Sequence, residues 1–117
     1  EYQALKAELV KLRNEDRKDP ERLATVSRIA AEIGAHAIKT EYVGDPDVQR
    51  GIVETVGDIP VLTLGGARGD DAAVTAAAQG AIDAGASGLI FGRNIWMADD
   101  IVGTTQRLSD VTHGRTR

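Results

Sequence analysis

The chain has 117 residues, 42% of them hydrophobic and 27% charged, which is the composition of one globular domain rather than of a disordered segment. Eighteen acidic residues outnumber 14 basic ones, so the formal net charge of −4 argues against nucleic acid as a partner. No cysteine is present, which excludes disulfides, cysteine-bound zinc and thiol catalysis, and no apolar run approaches the roughly 20 residues of a membrane helix.

The first third of the chain has the periodicity of helices. Leu5, Leu9 and Leu12 recur at three- and four-residue spacing in a charged background, which predicts a short amphipathic helix. The tripeptide DPE at residues 19–21 predicts the start of a second helix, because an acidic N-cap, a proline at the first helical position and an early acid favour initiation. Gly34 stands where a glycine would end that helix.

Short strands and further helices alternate in the rest of the chain. Apolar runs predict strands at residues 36–40, 59–64 and 88–91. Aspartates at 45–47 and 70–71 predict the starts of two intervening helices, and a final amphipathic helix is predicted from about residue 97 to residue 108. Trp96, placed at the opening of this last helix, is expected to pack into the core.

This alternation predicts the fold class. The strand ends at Lys39, Gly65 and Gly92 are about 26 residues apart, a spacing that indicates βα units and a parallel sheet. Since a (β/α)8 barrel runs to roughly 250 residues, we expect an α/β fold that is a partial TIM barrel, about the last three units with a preceding helix. Residues 1–117 would then be a single C-terminal segment without the N-terminal strands. A small open sheet closed by a partner chain is the alternative.

Lys39 lies at the C-terminal end of a predicted strand, which is the end where active sites of βα folds are built. A lysine amine that is held neutral can attack a ketone or an aldehyde and form an imine. The alternative is a solvated lysine whose stem lies along the sheet.

Two glycine-containing loops follow the next two strands. They are GGARG at residues 65–69 and GRN at residues 92–94. Glycines let backbone N–H groups approach an anion, and paired loops after the last two strands are the usual phosphate site of (β/α)8 enzymes. Arg93 or Arg68 could add charge-assisted bonds to such a phosphate. The alternative is that the glycines only permit tight turns between strand and helix.

Three segments carry a family resemblance. AHAIKTEYVGDP at residues 35–46 resembles the Schiff-base lysine segment of the archaeal-type class I fructose-bisphosphate aldolases. PVLTLGG at residues 60–66 resembles their seventh-strand phosphate loop, and AGASGLIFGRNIW at residues 84–96 resembles their eighth strand and its phosphate loop. The sequence departs from the family pattern at Ala67 and Arg68, where Pro-Lys is common, and at Leu64, where a small residue often stands.

The resemblance implies a role for five residues. Lys39 would be the imine-forming lysine, and the substrate phosphate would be held by Gly65, Gly66, Gly92 and Arg93. The implied reaction is the reversible cleavage of fructose 1,6-bisphosphate to dihydroxyacetone phosphate and glyceraldehyde 3-phosphate, a step of glycolysis and gluconeogenesis. No metal and no cofactor are expected, because the protonated imine is the electron sink.

The resemblance also sets expectations about context. A phosphorylated sugar is the expected partner, together with either a homo-oligomer or the remainder of the barrel, in the cytoplasm; neither nucleic acid nor a membrane is expected. The family's proton-transfer tyrosine and first-strand aspartate would fall upstream of residue 1, and Tyr2, Tyr42 and Asp45 are not assigned those roles. The isolated 117 residues are therefore expected to be inactive.

Two other functions stay open at this point. A related lysine-dependent enzyme, such as a transaldolase-like synthase or a thiolase, could act on another phosphorylated keto compound. A non-catalytic phosphate-ligand module or a flavin-binding barrel fragment could use the same loops.

Overall fold

The structure, a computed structural model, describes residues 17–115. The predicted helix through Leu5, Leu9 and Leu12 lies outside the described residues. Three strands are present: β1 (Ile38–Glu41), β2 (Val61–Leu64) and β3 (Gly88–Ile90). The helices are α1 (Pro20–Glu32), α2 (Pro46–Glu54), α3 (Asp71–Asp83), α4 (Arg93–Trp96) and α5 (Ile101–Thr112).

The strands form one parallel sheet in the order β1-β2-β3. Lys39 is in register with Leu62, and Leu62 is in register with Gly88. Helices connect consecutive strands and run back along the sheet, as a parallel connection requires. The prediction of three βα units in a partial barrel with a preceding helix is confirmed.

Aspartates begin the four longer helices. The side chains of Asp19, Asp45, Asp70 and Asp100 each accept a hydrogen bond from a backbone N–H in the first turn of the helix that follows. These bonds satisfy amides that have no acceptor inside the helix, and the carboxylates also suit the positive end of the helix dipole. The starts predicted from residues 19–21, 45–47 and 70–71 are therefore confirmed.

The helices cover one face of the sheet with two apolar clusters. The first joins β1, β2 and the flanking helices; its buried members are Ile38, Val56 and Val61. The second lies between α3, α5 and β3; its buried members are Val74, Ala78, Leu108 and Val111. The register puts Ile38, Val61 and Leu89 on the same face, so both clusters lie on the helix side of the sheet, and the residues that alternate with these point to the opposite face.

The observed strands are shorter than the predicted ones. β1 begins at Ile38 rather than at residue 36, because the chain leaving α1 first turns through Gly34, whose φ is 95°. β2 begins at Val61 rather than at residue 59, because the N–H of Ile59 still bonds to Val56 in the turn after α2 and Pro60 has no N–H to give.

The prediction for the last helix is wrong in its bounds. The chain after β3 forms the short helix α4 and then, from Ile101, the longer helix α5, with Asp100 as its cap. Trp96 belongs to α4 and is 65% exposed, so the expected core packing is also wrong. None of the helices within residues 17–115 is long and apolar enough to cross a bilayer.

Candidate functional site

The open face of the sheet carries Lys39. Ile38 and Thr40 are buried toward the helices, so Lys39 and Glu41 point to the other face. Lys39 is exposed within the described part of the chain. The strand therefore presents the lysine on the face opposite the two apolar clusters.

The neighbours of Lys39 across the sheet leave room beside it. Leu62 is its partner on β2, and Gly88, which has no side chain, is the next residue in the same row on β3. A Cβ atom at Gly88 would lie 3.1 Å from Cδ2 of Leu62, so the leucine side chain leans over the glycine. A short row of lysine, leucine and glycine thus forms the floor of a shallow apolar surface beside the amine.

Glu41 shares this face and has a charged partner. Its Oε1 accepts a hydrogen bond of 2.8 Å from Nη2 of Arg17, and its side chain is only 12% exposed. The ion pair ties the segment before α1 to the last residue of β1. It therefore holds a carboxylate beyond Lys39, toward the end of the sheet where the loops lie.

The glycine loop, residues 65–69, follows β2 at that end. The N–H of Gly65 donates to the carbonyl of Ile90 at 3.3 Å, which extends the pairing of β2 and β3 into the loop. Gly66 has a φ of 65°, a left-handed conformation that glycine adopts at little cost. The loop therefore departs from the strand at once and exposes its backbone.

The arginine turn, residues 92–94, follows β3 and contacts the glycine loop directly. Nη2 of Arg93 donates a hydrogen bond of 3.2 Å to the carbonyl oxygen of Gly66. Gly92 is packed so closely under the Trp96 ring that a Cβ there would lie 2.5 Å from it. The structure thus brings together four of the five sequence-predicted site residues in one place: Gly65, Gly66, Gly92 and Arg93.

Asn94 is a further residue of the site, for which sequence analysis predicts no role. Its Nδ2 donates to the carbonyls of Gly65 and Ala67 at 3.0 and 3.3 Å, and its Oδ1 accepts from the N–H of Gly69 at 2.9 Å. The side chain is buried, with the residue only 6% exposed. An asparagine that follows Gly-Arg is the one signal in the sequence, and it does not reveal partners 25 to 29 residues away.

Lys39 stands apart from the two loops. Its Cα is level with Leu62, three residues before Gly65, so the lysine lies roughly 10 Å below the glycine loop along the strand direction. The four-carbon stem of lysine covers part of that distance.

Two more residues were considered from the sequence, and they lie in different places. Arg68 is exposed in the glycine loop, and residues 17–115 show no hydrogen bond from its guanidinium. Tyr42 is half-buried and its hydroxyl lies against Gly80 of α3, on the helix side of the sheet. Burial, and secondarily the carboxylates of Asp45 and Asp83, raise the pKa of Tyr42 above its ordinary value of 10.0.

The sequence is similar to known aldolases over most of its length. Residues 5–98 match the family described as DeoC/LacD family aldolase. A class 1 fructose-bisphosphate aldolase of Thermoproteus tenax is 35% identical over 96 residues, which are 81% of this chain and 36% of that protein. A 2-amino-4,5-dihydroxy-6-oxo-7-(phosphonooxy)heptanoate synthase of Streptomyces griseus is 33% identical over 100 residues, 85% of this chain and 36% of that protein.

Solved structures show the same likeness. An archaeal fructose-1,6-bisphosphate aldolase, with its catalytic lysine covalently bound to the carbinolamine intermediate of the substrate, superimposes with a TM-score of 0.81 at 34% identity. The match covers 89% of this chain and 41% of that chain. The present chain thus spans about 36% of the length of the curated relatives named above.

Proposed function

Because the chain belongs to the DeoC/LacD aldolase family, we propose that it carries the imine-forming lysine and the phosphate site of a class I aldolase. The observation that carries the proposal is the placement of Lys39 on the open face of β1, with the glycine loop and the arginine turn joined to each other at the end of the same sheet. The likeness to an aldolase whose catalytic lysine binds the substrate covalently supports it.

The amine of Lys39 is proposed to act as the nucleophile. It adds to the carbonyl carbon of a ketose phosphate, and the carbinolamine loses water to give a protonated imine. The bond between the third and fourth carbons then breaks. Its electron pair moves toward the iminium nitrogen to form an enamine, while the hydroxyl on the fourth carbon loses its proton and becomes an aldehyde. Protonation of the enamine and hydrolysis of the imine release the second product and free the amine.

The two loops are proposed to hold the phosphate. Gly65 carries the chain from β2 into the loop, Gly66 is exposed there, and Arg93 reaches Gly66 from the turn that begins at Gly92 after β3. The bond from Arg93 to Gly66 uses one donor of a guanidinium that has five, so the others are available to a phosphate oxygen. Anchoring by the phosphate places the carbonyl carbon near Lys39 and reduces the entropy lost when the imine forms.

Fructose 1,6-bisphosphate is the proposed substrate, cleaved to dihydroxyacetone phosphate and glyceraldehyde 3-phosphate. The fructose-bisphosphate aldolases of Thermoproteus tenax and Halobacterium salinarum, 35% and 39% identical to this chain, support this choice. A synthase acting on another phosphorylated keto compound is the second candidate, and the Streptomyces griseus relative favours it. Leu64, Ala67 and Arg68 depart from the family pattern beside the phosphate site, where substrates of different shape would be distinguished.

The context of the enzyme is also proposed. We place residues 1–117 in a single C-terminal segment of the barrel, with the open face of the sheet covered by the remainder of the barrel or by a second copy. A parallel sheet requires such cover on both faces. The enzyme would act in the cytoplasm in glycolysis and gluconeogenesis.

Trapping the imine tests the proposal. The purified full-length protein is incubated with dihydroxyacetone phosphate and reduced with borohydride, and the modified peptide is identified by mass spectrometry. We expect one adduct on Lys39. Lys39→Arg keeps the positive charge but cannot form the imine, and it should abolish trapping.

Lys18→Arg is the matched control, because Lys18 is an exposed lysine outside the site and its replacement should leave the adduct unchanged. Trapping that persists in Lys39→Arg, or no adduct with any keto phosphate, would remove the mechanism. The same experiment with a panel of phosphorylated ketones separates the two candidate substrates.

A further inference from the structure

Asn94 connects the two loops through one buried side chain. Its side-chain amide makes three hydrogen bonds: Nδ2 donates to two carbonyls of the glycine loop, and Oδ1 accepts from the N–H of Gly69. The adjacent residue, Arg93, holds the carbonyl of Gly66. Two consecutive side chains of α4 therefore fix the loop at four backbone positions, from Gly65 to Gly69.

These bonds determine where the loop amides point. A trans peptide is planar, and its C=O and the following N–H point in opposite directions. The carbonyls of Gly65 and Ala67 point to Asn94, so the N–H groups of Gly66 and Arg68 both point away from it. With Gly66 in the left-handed conformation, this is the kind of backbone concavity that binds anions.

We propose that Asn94 is a positioning residue for phosphate binding: it holds the glycine loop so that the amides of Gly66 and Arg68 converge on the phosphate of a phosphorylated ketone. This inference rests on the proposed function. Asn94 does not contact the ligand itself, because all three of its bonds go to the loop backbone. Without these bonds the flexible glycines would lose the arrangement of their amides, and the phosphate site would have to be ordered at the moment of binding.

The burial of Asn94 indicates that its side chain holds the loop in place, because an exposed amide could bond to water as well as to the loop. A buried amide that left its partners unsatisfied would be costly, and here both polar atoms of the side chain are paired. All the partners lie in residues 65–69, so the side chain acts on the loop rather than on the core.

The test compares phosphate-dependent and phosphate-independent steps. In Asn94→Ala, KM for the phosphorylated ketose should rise about tenfold or more, in proportion to the lost hydrogen bonds, while kcat stays within about threefold. Borohydride trapping of unphosphorylated dihydroxyacetone on Lys39 should be unchanged. Asn94→Ser, which retains a single donor, should have a KM between that of Asn94→Ala and that of the natural protein.

Ser27→Ala is the matched control, because Ser27 is also a buried polar residue but lies on α1, away from both loops. Unchanged KM in Asn94→Ala, or an equal loss of trapping with both ketones, would overturn the inference. If neither Asn94 variant folds, as judged by circular dichroism, Asn94 serves the fold and the inference is likewise overturned.

Titration with inorganic phosphate separates this inference from the proposed function. If the natural protein forms no adduct with any ketone but binds phosphate, and Asn94→Ala loses that binding, the aldolase reaction fails and the positioning role stands. If the natural protein forms the ketone adduct, and the natural protein and Asn94→Ala bind phosphate with the same affinity, the positioning role is wrong and the proposed aldolase reaction still stands.

Discussion

A Cβ atom on Gly65 would lie 2.7 Å from Cγ of Phe91, so the backbone at the start of the glycine loop packs directly against the ring of the residue that follows β3. Phe91 in turn packs against the apolar cluster of α3 and α5. The position of the glycine loop is therefore coupled to the packing of the helix layer.

Replacing Gly65 with alanine should disturb this contact. We expect Gly65→Ala to lower the free energy of unfolding by about 1 to 3 kcal/mol, because the ring of Phe91 or the loop must move to admit the methyl group. Gly69→Ala is the control, since its Cβ would make only ordinary contacts, at 3.5 Å or more. Urea unfolding of both variants measures the difference; equal stability would mean that Phe91 moves freely.

Arg93 and Arg68 should differ in their effect on phosphate binding. Arg93 already reaches across to Gly66, whereas Arg68 projects from the loop into solvent. We expect Arg93→Gln to weaken phosphate binding between about tenfold and a hundredfold, and Arg68→Gln to weaken it by less than about threefold. Isothermal titration at two salt concentrations checks this, and a larger loss in Arg68→Gln would contradict the assignment.

Gly80 and Tyr42 should be energetically coupled. Alanine at position 80 favours helix α3 by about 1 kcal/mol over glycine, but its Cβ would overlap the hydroxyl of Tyr42. We therefore expect Gly80→Ala to destabilise the natural protein and to stabilise a Tyr42→Ala variant by about 1 kcal/mol. A double-mutant cycle by urea unfolding gives the coupling energy, and additive effects would show that no overlap exists.

Stability should decline in alkaline solution partly because of Tyr42. Its pKa is raised in the folded state, mainly by burial, so above about pH 10 the unfolded chain loses this proton first. The free energy of unfolding then falls as pH rises, until the folded-state pKa is passed. Tyr42→Phe should make the decline between about pH 9 and pH 11 shallower. An identical decline in both proteins would assign it to other groups.

The N-cap of α2 should contribute to stability. Oδ1 of Asp45 accepts hydrogen bonds from the N–H groups of Asp47 and Val48 at 2.8 and 3.3 Å. We expect Asp45→Ala to cost about 1 kcal/mol. Asp47→Ala removes only an exposed ion pair with Arg50 and should cost less than about 0.5 kcal/mol. Thermal unfolding compares the two, and equal losses would argue against the cap.

Local chemistry made the helix starts and the order of elements predictable. An aspartate followed by proline, or a pair of aspartates, satisfies the first amides of a helix without help from distant residues. Gly34 and Gly85, with φ values of 95° and 99°, end helices for an equally local reason. The parallel sheet then followed from the alternation of these elements.

The features that the sequence analysis did not predict depend on contacts between segments that are distant in the chain. Trp96 was expected to pack into the core, but its ring covers Gly92 and the residue is 65% exposed. The role of Asn94 depends on residues of another loop, which no spacing within residues 92–94 could indicate. The functions of Lys39 and of the phosphate-site residues stay predictions.

The capping aspartates also place negative charge at the end of the sheet where the two loops lie. Asp45, Asp70 and Asp100 begin the longer helices that follow the three strands, so their carboxylates stand at the same end of the sheet as the two loops. Each accepts a hydrogen bond from one or two of the first amides of its helix, which an incoming anion would otherwise use. A negatively charged molecule that approaches this edge therefore meets three carboxylates, whereas the guanidinium of Arg93 offers it hydrogen-bond donors.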